Sequence, residues 1–293
     1  MSWLDLHMHS SYSNDGEFSP RVLMKLCFKA GIKVAALADH NSVKGAREAN
    51  LYADKLGIKL IPAIELDCSF HGVDLHVLGY GIDVKYPAFD KVEKDVQEKE
   101  RATSLKRMML VKKMGIFFNY DDVMKLSRNG VVTGEMIAKA ALNDDRNKNN
   151  ILMNSFYPNG KRSDNPYVNF YWDICSSGKK AYVPVKFMSL INAIELIHAA
   201  GGIAVLAHPG NNVKEDEELL RKIIKSGIEG LEVYSTYHTN LQIEFYERQA
   251  ELYGLIMTLG SDFHGETKPA IKLGDAPCKK SHEDIYHALM AKL

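Results

Sequence analysis

Residues 5–16 read DLHMHSSYSNDG, and the pair His7 and His9 inside that stretch decides how the rest of the chain is read. The apolar run around them predicts a strand, and a strand sends side chains i and i+2 to the same face. Both imidazoles therefore point together, with Asp15 a short loop away. Two neutral nitrogens aimed at one point are half of a metal site. Taken alone they could also be two surface histidines placed by chance. The decision rests on whether other parts of the chain supply the missing ligands.

The chain has 293 residues, 46% apolar and 25% charged, an ordinary globular profile long enough for one barrel-sized domain. Lysine plus arginine equals aspartate plus glutamate at 37 each, so the net charge is zero. That excludes a protein that coats long nucleic acid by bulk electrostatics and leaves open a small anionic substrate held by a few local cations. The four cysteines, Cys27, Cys68, Cys175 and Cys278, form no C-x-x-C pair. They fit a reducing compartment better than a disulfide scaffold or zinc ribbon. No basic segment followed by an apolar run opens the sequence, and no apolar run is long enough to span a bilayer. The expectation is a cytoplasmic protein with no membrane association and no obligate protein partner.

Working outward, strands are expected at 3–9, 33–40, 58–66, 73–81, 202–209, 227–235 and 255–264. Helical patterns at 19–31, 42–57, 188–202, 216–227 and 240–254 lie between most of them. Ser19, Pro20 and Gly31 read as the cap, first turn and stop of the first helix. This alternation predicts a parallel α/β fold, a seven-stranded (β/α) barrel whose site lies at the strand C-terminal ends. The pattern breaks over 85–182. There a long charged helix (85–115), two shorter ones (121–130 and 134–144) and a polar loop (145–167) read as an inserted helical cap. Residues 1–84 and 183–293 would then be the two parts of the barrel.

The remaining ligand types fall into place on this frame. His40 ends ALADH, Glu65 ends IPAIEL, His76 lies in DLHVLGYG, His208 ends AVLAHPG, and Asp262 and His264 form a second i, i+2 pair in GSDFHG. With His7, His9 and Asp15 these make nine nitrogen or oxygen candidates at or near strand ends. Alone, His208 reads as a packed turn histidine, His76 as a core histidine and Glu65 as a solvent carboxylate. Yet six of the eleven histidines in the chain sit at expected strand ends, which random placement does not favour. Imidazole and carboxylate without thiolate suit manganese, iron or zinc in a catalytic setting. Glu65 and Asp262 are therefore also catalytic candidates. His238, in the loop YSTYHT, is a candidate general acid, or simply an exposed loop histidine. The segment 91–113 carries eight Lys/Arg against four Asp/Glu. Arg101, Lys106 and Arg107 there, with Lys139 further on, are the candidates for contact with a small anionic substrate. As ordinary helix residues they would be a solvated face.

Taken in order, DLHMHSSYSNDG, ALADHNS, IPAIELD, HVLGYGID, GGIAVLAHPG, GLEVYS and GSDFHG resemble the motifs of the PHP (polymerase and histidinol phosphatase) family, over nearly the whole chain. Within it the sequence is similar to the capped branch of nucleoside 3′,5′-bisphosphate phosphatases and 5′→3′ exoribonucleases. The resemblance implies a distorted PHP-type (β/α)7 barrel with a helical cap insertion, holding two to three divalent metals, with manganese first and iron or zinc as alternatives. It implies that His7, His9, Glu65 and Asp262 hold the first metal and that Glu65, His76 and His208 hold the second, with Glu65 bridging. Asp15, His40 and His264 would hold the third. The expected activity is hydrolysis of a phosphate ester of a small phosphorylated metabolite, a nucleoside 3′,5′-bisphosphate or the 5′ end of short RNA, by metal-bound hydroxide. Three other readings stay open: a histidinol-phosphate phosphatase, an amidohydrolase-like C–N hydrolase, and a non-catalytic metal-regulated module. The C–N reading lacks a clear strand lysine to bridge two metals, and the non-catalytic one fits poorly with a full set of nine ligands.

Overall fold

The computed structural model describes residues 2–293. Its first strand, β1 (Leu4–Met8), is buried along its whole length. It is followed by α1 (Pro20–Ala30), β2 (Val34–Leu37), α2 (Lys44–Ala53) and β3 (Lys59–Phe70). Helix α1 begins at Ser19, whose side chain accepts from the Val22 N–H, and stops at Gly31 in the left-handed region. The first three strands pair in parallel.

The next connection departs from the expected alternation. β4 (Val73–Tyr80) follows β3 with no helix between, and the two form an antiparallel hairpin with Phe70 opposite Val73. The two loop residues, His71 and Gly72, both have positive φ. That is the turn whose twist matches two flanking antiparallel strands. A two-residue loop cannot cross over a sheet, so β4 runs against its neighbours.

After β4 the chain leaves the barrel through α3 (Ala88–Lys113), α4 (Tyr120–Leu126), α5 (Gly134–Leu142) and α6 (Pro166–Phe170). These elements share an apolar cluster of their own, built on Met108, Val111, Phe118, Ile137, Phe156 and Phe170. The stretch 145–167, expected as a loop, is pinned at Asn147. That buried side chain donates to the Phe117 and Ala141 carbonyls and accepts from the Phe117 N–H.

The chain returns by a short edge strand, β5 (Met188–Ser189), beside β3. It continues through α7 (Leu190–Ala199), β6 (Ile203–Leu206), α8 (Pro209–Asn212), α9 (Glu217–Lys225), β7 (Gly230–Ser235), α10 (Asn240–Tyr253) and β8 (Ile256–Gly260). A final helix not anticipated from sequence, α11 (His282–Met290), is capped by Ser281 and buries Ile285 and Leu289. Seven strands run β1-β2-β3-β4-β6-β7-β8. The ring nearly closes where the His9 N–H donates to the Phe263 carbonyl and the Asp262 N–H to the His7 carbonyl. The barrel is thus mixed rather than all parallel, with β4 antiparallel to β3 and β6. Among the described residues no helix is long and apolar enough to cross a membrane.

Candidate metal centre

Barrel closure brings the strand ends together, burying six of the nine candidate ligands and partly burying Asp15, His40 and His76. His7 and His9, alternate residues of one strand and the residue after it, both point inward and are fully buried. His7 Nε2 and His9 Nε2 lie 3.1 Å apart. Each is 3.2 Å from Glu65 Oε2, and they are 3.4 and 2.9 Å from Asp262 Oδ1. Four donor atoms with such spacings surround a central point about 2 Å from each, the length of a metal–nitrogen or metal–oxygen bond.

The other oxygen of Glu65 faces a different group. Glu65 Oε1 lies 3.0 Å from His76 Nδ1 and 3.0 Å from His208 Nε2. One carboxylate thus turns its two oxygens toward two separate ligand sets. A third set joins His40 and His264 with His9, all within 4.8 Å of one another. Asp15, expected in this set, reaches His264 Nε2 at 3.2 Å without joining the mutual group. A fourth set, His40, Asp67 and His76, was not anticipated. Asp67 follows Glu65 by two residues on the same strand face, so the rule that picked out His7 and His9 applied to it equally.

The donor atoms fit a metal on a direct test. Glu65 Oε2, Asp262 Oδ1, Asp15 Oδ1, His264 Nε2 and His208 Nδ1 are buried without a hydrogen-bond partner. Buried polar atoms are normally satisfied, and here Glu65 Oε2 and Asp262 Oδ1 lie among the His7 and His9 nitrogens, where a metal would satisfy them. The electrostatics agree. Burial alone would push the His7 imidazole toward its neutral form, but Glu232, Glu65 and Asp262 outweigh it and hold its pKa well above the usual value. His9 goes the other way, down to about 4, through burial and the neighbouring His264 and His40. Burial would raise the Glu65 carboxyl, yet His7, His40 and His76 hold it well below the carboxylate range. Lys268, His264 and His7 do the same for Asp262 against its own burial.

A surrounding layer fixes the ligand orientations. His7 Nδ1–H donates to Glu232 Oε1 at 2.8 Å, while Glu232 Oε2 accepts the His208 N–H. His9 Nδ1–H donates to Ser13 Oγ, whose hydroxyl donates to Asp39. These bonds leave Nε2 of both histidines free to ligate. Gly260 is glycine for space, since a Cβ there would lie 2.2 Å from His7 Cβ and 2.5 Å from Glu232 Oε1. His208 and Asp262 both have positive φ, at 24° and 55°. Such conformations for non-glycine residues are held by their surroundings at about 1–3 kcal/mol each.

The remaining sequence candidates separate. His238 is buried, not exposed. Its Nδ1–H donates to the Val233 carbonyl and its Nε2 accepts the Gly210 N–H. Its ring also stacks on Tyr246. Both nitrogens are committed, so the geometry gives it a structural part in the 208–210 turn rather than a general-acid role. His238→Ala is expected to destabilise the fold by about 2–4 kcal/mol in denaturant melts while the folded, metal-loaded fraction keeps its kcat. Arg101 and Lys106 are exposed, with Arg101 Nε donating to the Asn129 carbonyl. Lys139 pairs with Glu266 at 2.7 Å beside a small cavity of about 130 Å³. Only Arg107 of the four lines the main cavity, which holds about 610 Å³ over the metal-ligand groups. Lys268, unnoticed in the sequence, lines it too, with Nζ 2.6 Å from both Asp262 Oδ2 and Tyr237 Oη.

Fold and site together define a barrel protein whose strand ends gather histidine and carboxylate groups able to hold metal. The chain belongs to the PHP domain family, whose model matches residues 5–289. It is 32% identical to a 5′-3′ exoribonuclease of Haemophilus influenzae, covering 89% of each chain. It is 26% identical to a phosphoribosyl 1,2-cyclic phosphate 1,2-diphosphodiesterase of Eggerthella lenta, over 89% of this chain and 94% of that protein. It is 28% identical to a 3′,5′-nucleoside bisphosphate phosphatase of Chromobacterium violaceum, over 90% and 88%. Among solved structures it resembles one described as an amidohydrolase from Chromobacterium violaceum with bound sulfate and no metal. The TM-score is 0.78 at 27% identity, over 99% of this chain and 97% of that one. A candidate metal-dependent phosphoesterase from Bifidobacterium adolescentis gives 0.77 at 26%, over 98% and 95%.

Proposed function

We infer that the protein is a metal-dependent phosphoesterase whose substrate is a nucleotide-like phosphate ester. The observation that carries this is Glu65, with its two oxygens turned to two ligand sets whose members His76, His208 and Asp262 line a cavity of about 610 Å³. His7, His9, Glu65 and Asp262 would hold one divalent metal, Glu65, His76 and His208 a second, and His40 and His264 with His9 or Asp15 a third. Bound there, the metals supply an activated water as nucleophile and positive charge against the phosphoryl oxygens. Manganese suits this donor set, as do iron and zinc.

The chain's own residues do the rest. Lys268, anchored by Asp262 and Tyr237, adds a fixed cation at the edge of the ligand groups. The aromatic residues Tyr171, Trp172, Tyr182 and Phe187 line the same cavity, and such faces stack on a nucleobase. We assign residues 85–182 as a cap that supplies Tyr171, Trp172 and Tyr182 to this wall and selects the substrate. The three curated relatives act on different phosphate compounds, which supports P–O hydrolysis as the shared chemistry and leaves selection to the cavity. The C–N hydrolase reading is disfavoured because Glu65, not a lysine, is the residue that would serve both metals. The lysine near the site, Lys268, follows β8 in a loop and pairs with a single carboxylate.

The test is to measure metals per purified chain, then assay phosphate release from adenosine 3′,5′-bisphosphate and histidinol phosphate and mononucleotide release from short 5′-phosphorylated RNA. Two or three metals with preference for the nucleotides is the expected result. Full metal with no phosphate or mononucleotide release from any of them would sink the reading. Lys268→Met is expected to lower kcat/KM by on the order of 10²-fold at saturating metal. If excess metal restores the rate instead, Lys268 acts only by holding Asp262.

A further inference from the structure

The cavity wall opposite the metal-ligand groups contains a charge that the protein leaves unmatched. Arg107 lies on α3 and is only 9% exposed. Its guanidinium has five N–H donors and does not lose its proton in proteins. One nitrogen, Nη1, donates to the Val132 carbonyl at 2.5 Å, while Nε is buried with no partner. Among the described residues no carboxylate lies within ion-pairing distance of it. Other cations of the chain do have partners. Lys44 pairs with Glu93, Arg162 with Asp173 and Lys268 with Asp262. A buried, permanently charged group without a counter-ion is strongly unfavourable unless something else satisfies it. Arg107 faces the cavity, so the missing partner has access to it.

We propose that Arg107 forms a second anion subsite in the α3 wall, so that the substrate carries a second phosphoryl group besides the one positioned at the metal-ligand groups. This deepens the phosphoesterase reading and rests on it. Guanidinium binds phosphoryl oxygens in paired, planar fashion, and Nε with an Nη nitrogen is one such edge. A cavity of about 610 Å³ accommodates a mononucleotide. Tyr171 and Thr133 share the wall and bring hydroxyl groups. Glu100, two turns earlier on α3, also lines the cavity and accepts from Asn14 Nδ2. Burial first, then Asp67, lifts its carboxyl to about 7. The second phosphoryl has two sources, the other end of a nucleoside bisphosphate or the next linkage of an RNA chain.

Calorimetric binding to the full-length, metal-stripped protein isolates this subsite from the metals. Adenosine 3′,5′-bisphosphate and a 5′-phosphorylated dinucleotide are titrated into wild type, Arg107→Met and Arg107→Lys, with adenosine as the uncharged control. Loss of on the order of 10- to 100-fold in affinity for a phosphorylated ligand in Arg107→Met supports the subsite, given partial recovery in Arg107→Lys and unchanged adenosine binding. Whichever ligand shows the larger loss identifies the source. Equal affinity of wild type and both variants for both ligands overturns it. If Arg107→Met fails to fold, Arg107→Lys and the salt dependence of wild-type binding decide, since a phosphoryl–guanidinium contact must weaken with salt. A metal-loaded wild type that hydrolyses no phosphate ester would instead bring down the phosphoesterase reading itself. Hydrolysis without any Arg107 effect on binding would remove only the subsite.

Discussion

Glu65→Gln is expected to lose most of its bound metal and more than about 10³-fold in kcat/KM. The reason is geometric. Glu65 Oε2 faces His7 and His9, and Oε1 faces His76 and His208, so one residue serves two ligand groups. Glutamine keeps the volume and one carbonyl oxygen. Its amide NH2 would then face two imidazole nitrogens in place of an oxygen, and one group would lose its negative ligand. The loss therefore exceeds that of a residue serving one group, such as His208. The measurement is metal content by elemental analysis, read beside turnover on the same sample. Full metal content with normal turnover would place the centre elsewhere. Normal metal with lost turnover would separate the bridging carboxylate from metal retention.

Glu232→Gln should weaken metal affinity about 10- to 100-fold without unfolding the barrel. Glu232 is completely buried and touches no substrate space, yet it accepts from two ligand residues, His7 Nδ1–H and the His208 backbone N–H. An amide offers one acceptor oxygen for these two donors. If the oxygen stays with His208, the NH2 faces His7 Nδ1 and favours the ring tautomer with its proton on Nε2, the nitrogen needed for ligation. If it stays with His7, the His208 N–H is left against another donor and its strained turn loosens. In either case, raising the metal concentration should recover much of the activity. A titration of activity against metal checks this, with circular dichroism confirming the fold. A metal curve superimposable on wild type would mean that Glu232 only fills space.

These two residues mark the limits of reading the chain as a string. Glu65 stood out because a carboxylate ended an apolar run at the spacing of the other strand ends. Glu232 sits inside GLEVYS, a strand buried throughout, and nothing beside it signals a partner in β1, 225 residues away. Asp67 was readable by the i, i+2 rule. Arg107 differs from Arg101 and Lys106 only in helical phase, and it lies two turns from Glu100 on the same face of α3. His238 looked available because its loop follows a strand, whereas Val233 and Gly210 take up both of its nitrogens.

The sequence by itself determined the barrel class, the family and the residue types gathered at the strand ends. Those follow from periodicity, capping and motif order, which act over a few residues at a time. The hairpin that turns β4 antiparallel, the closing of β8 onto β1 and the pinning of 145–167 were decided by the tertiary structure. So was the choice of Arg107, rather than Arg101 or Lys106, as the α3 cation that lines the cavity. Such features depend on which distant atoms meet once the ring closes. That outcome sums many weak non-local contacts, none of which is written in any one stretch of the chain.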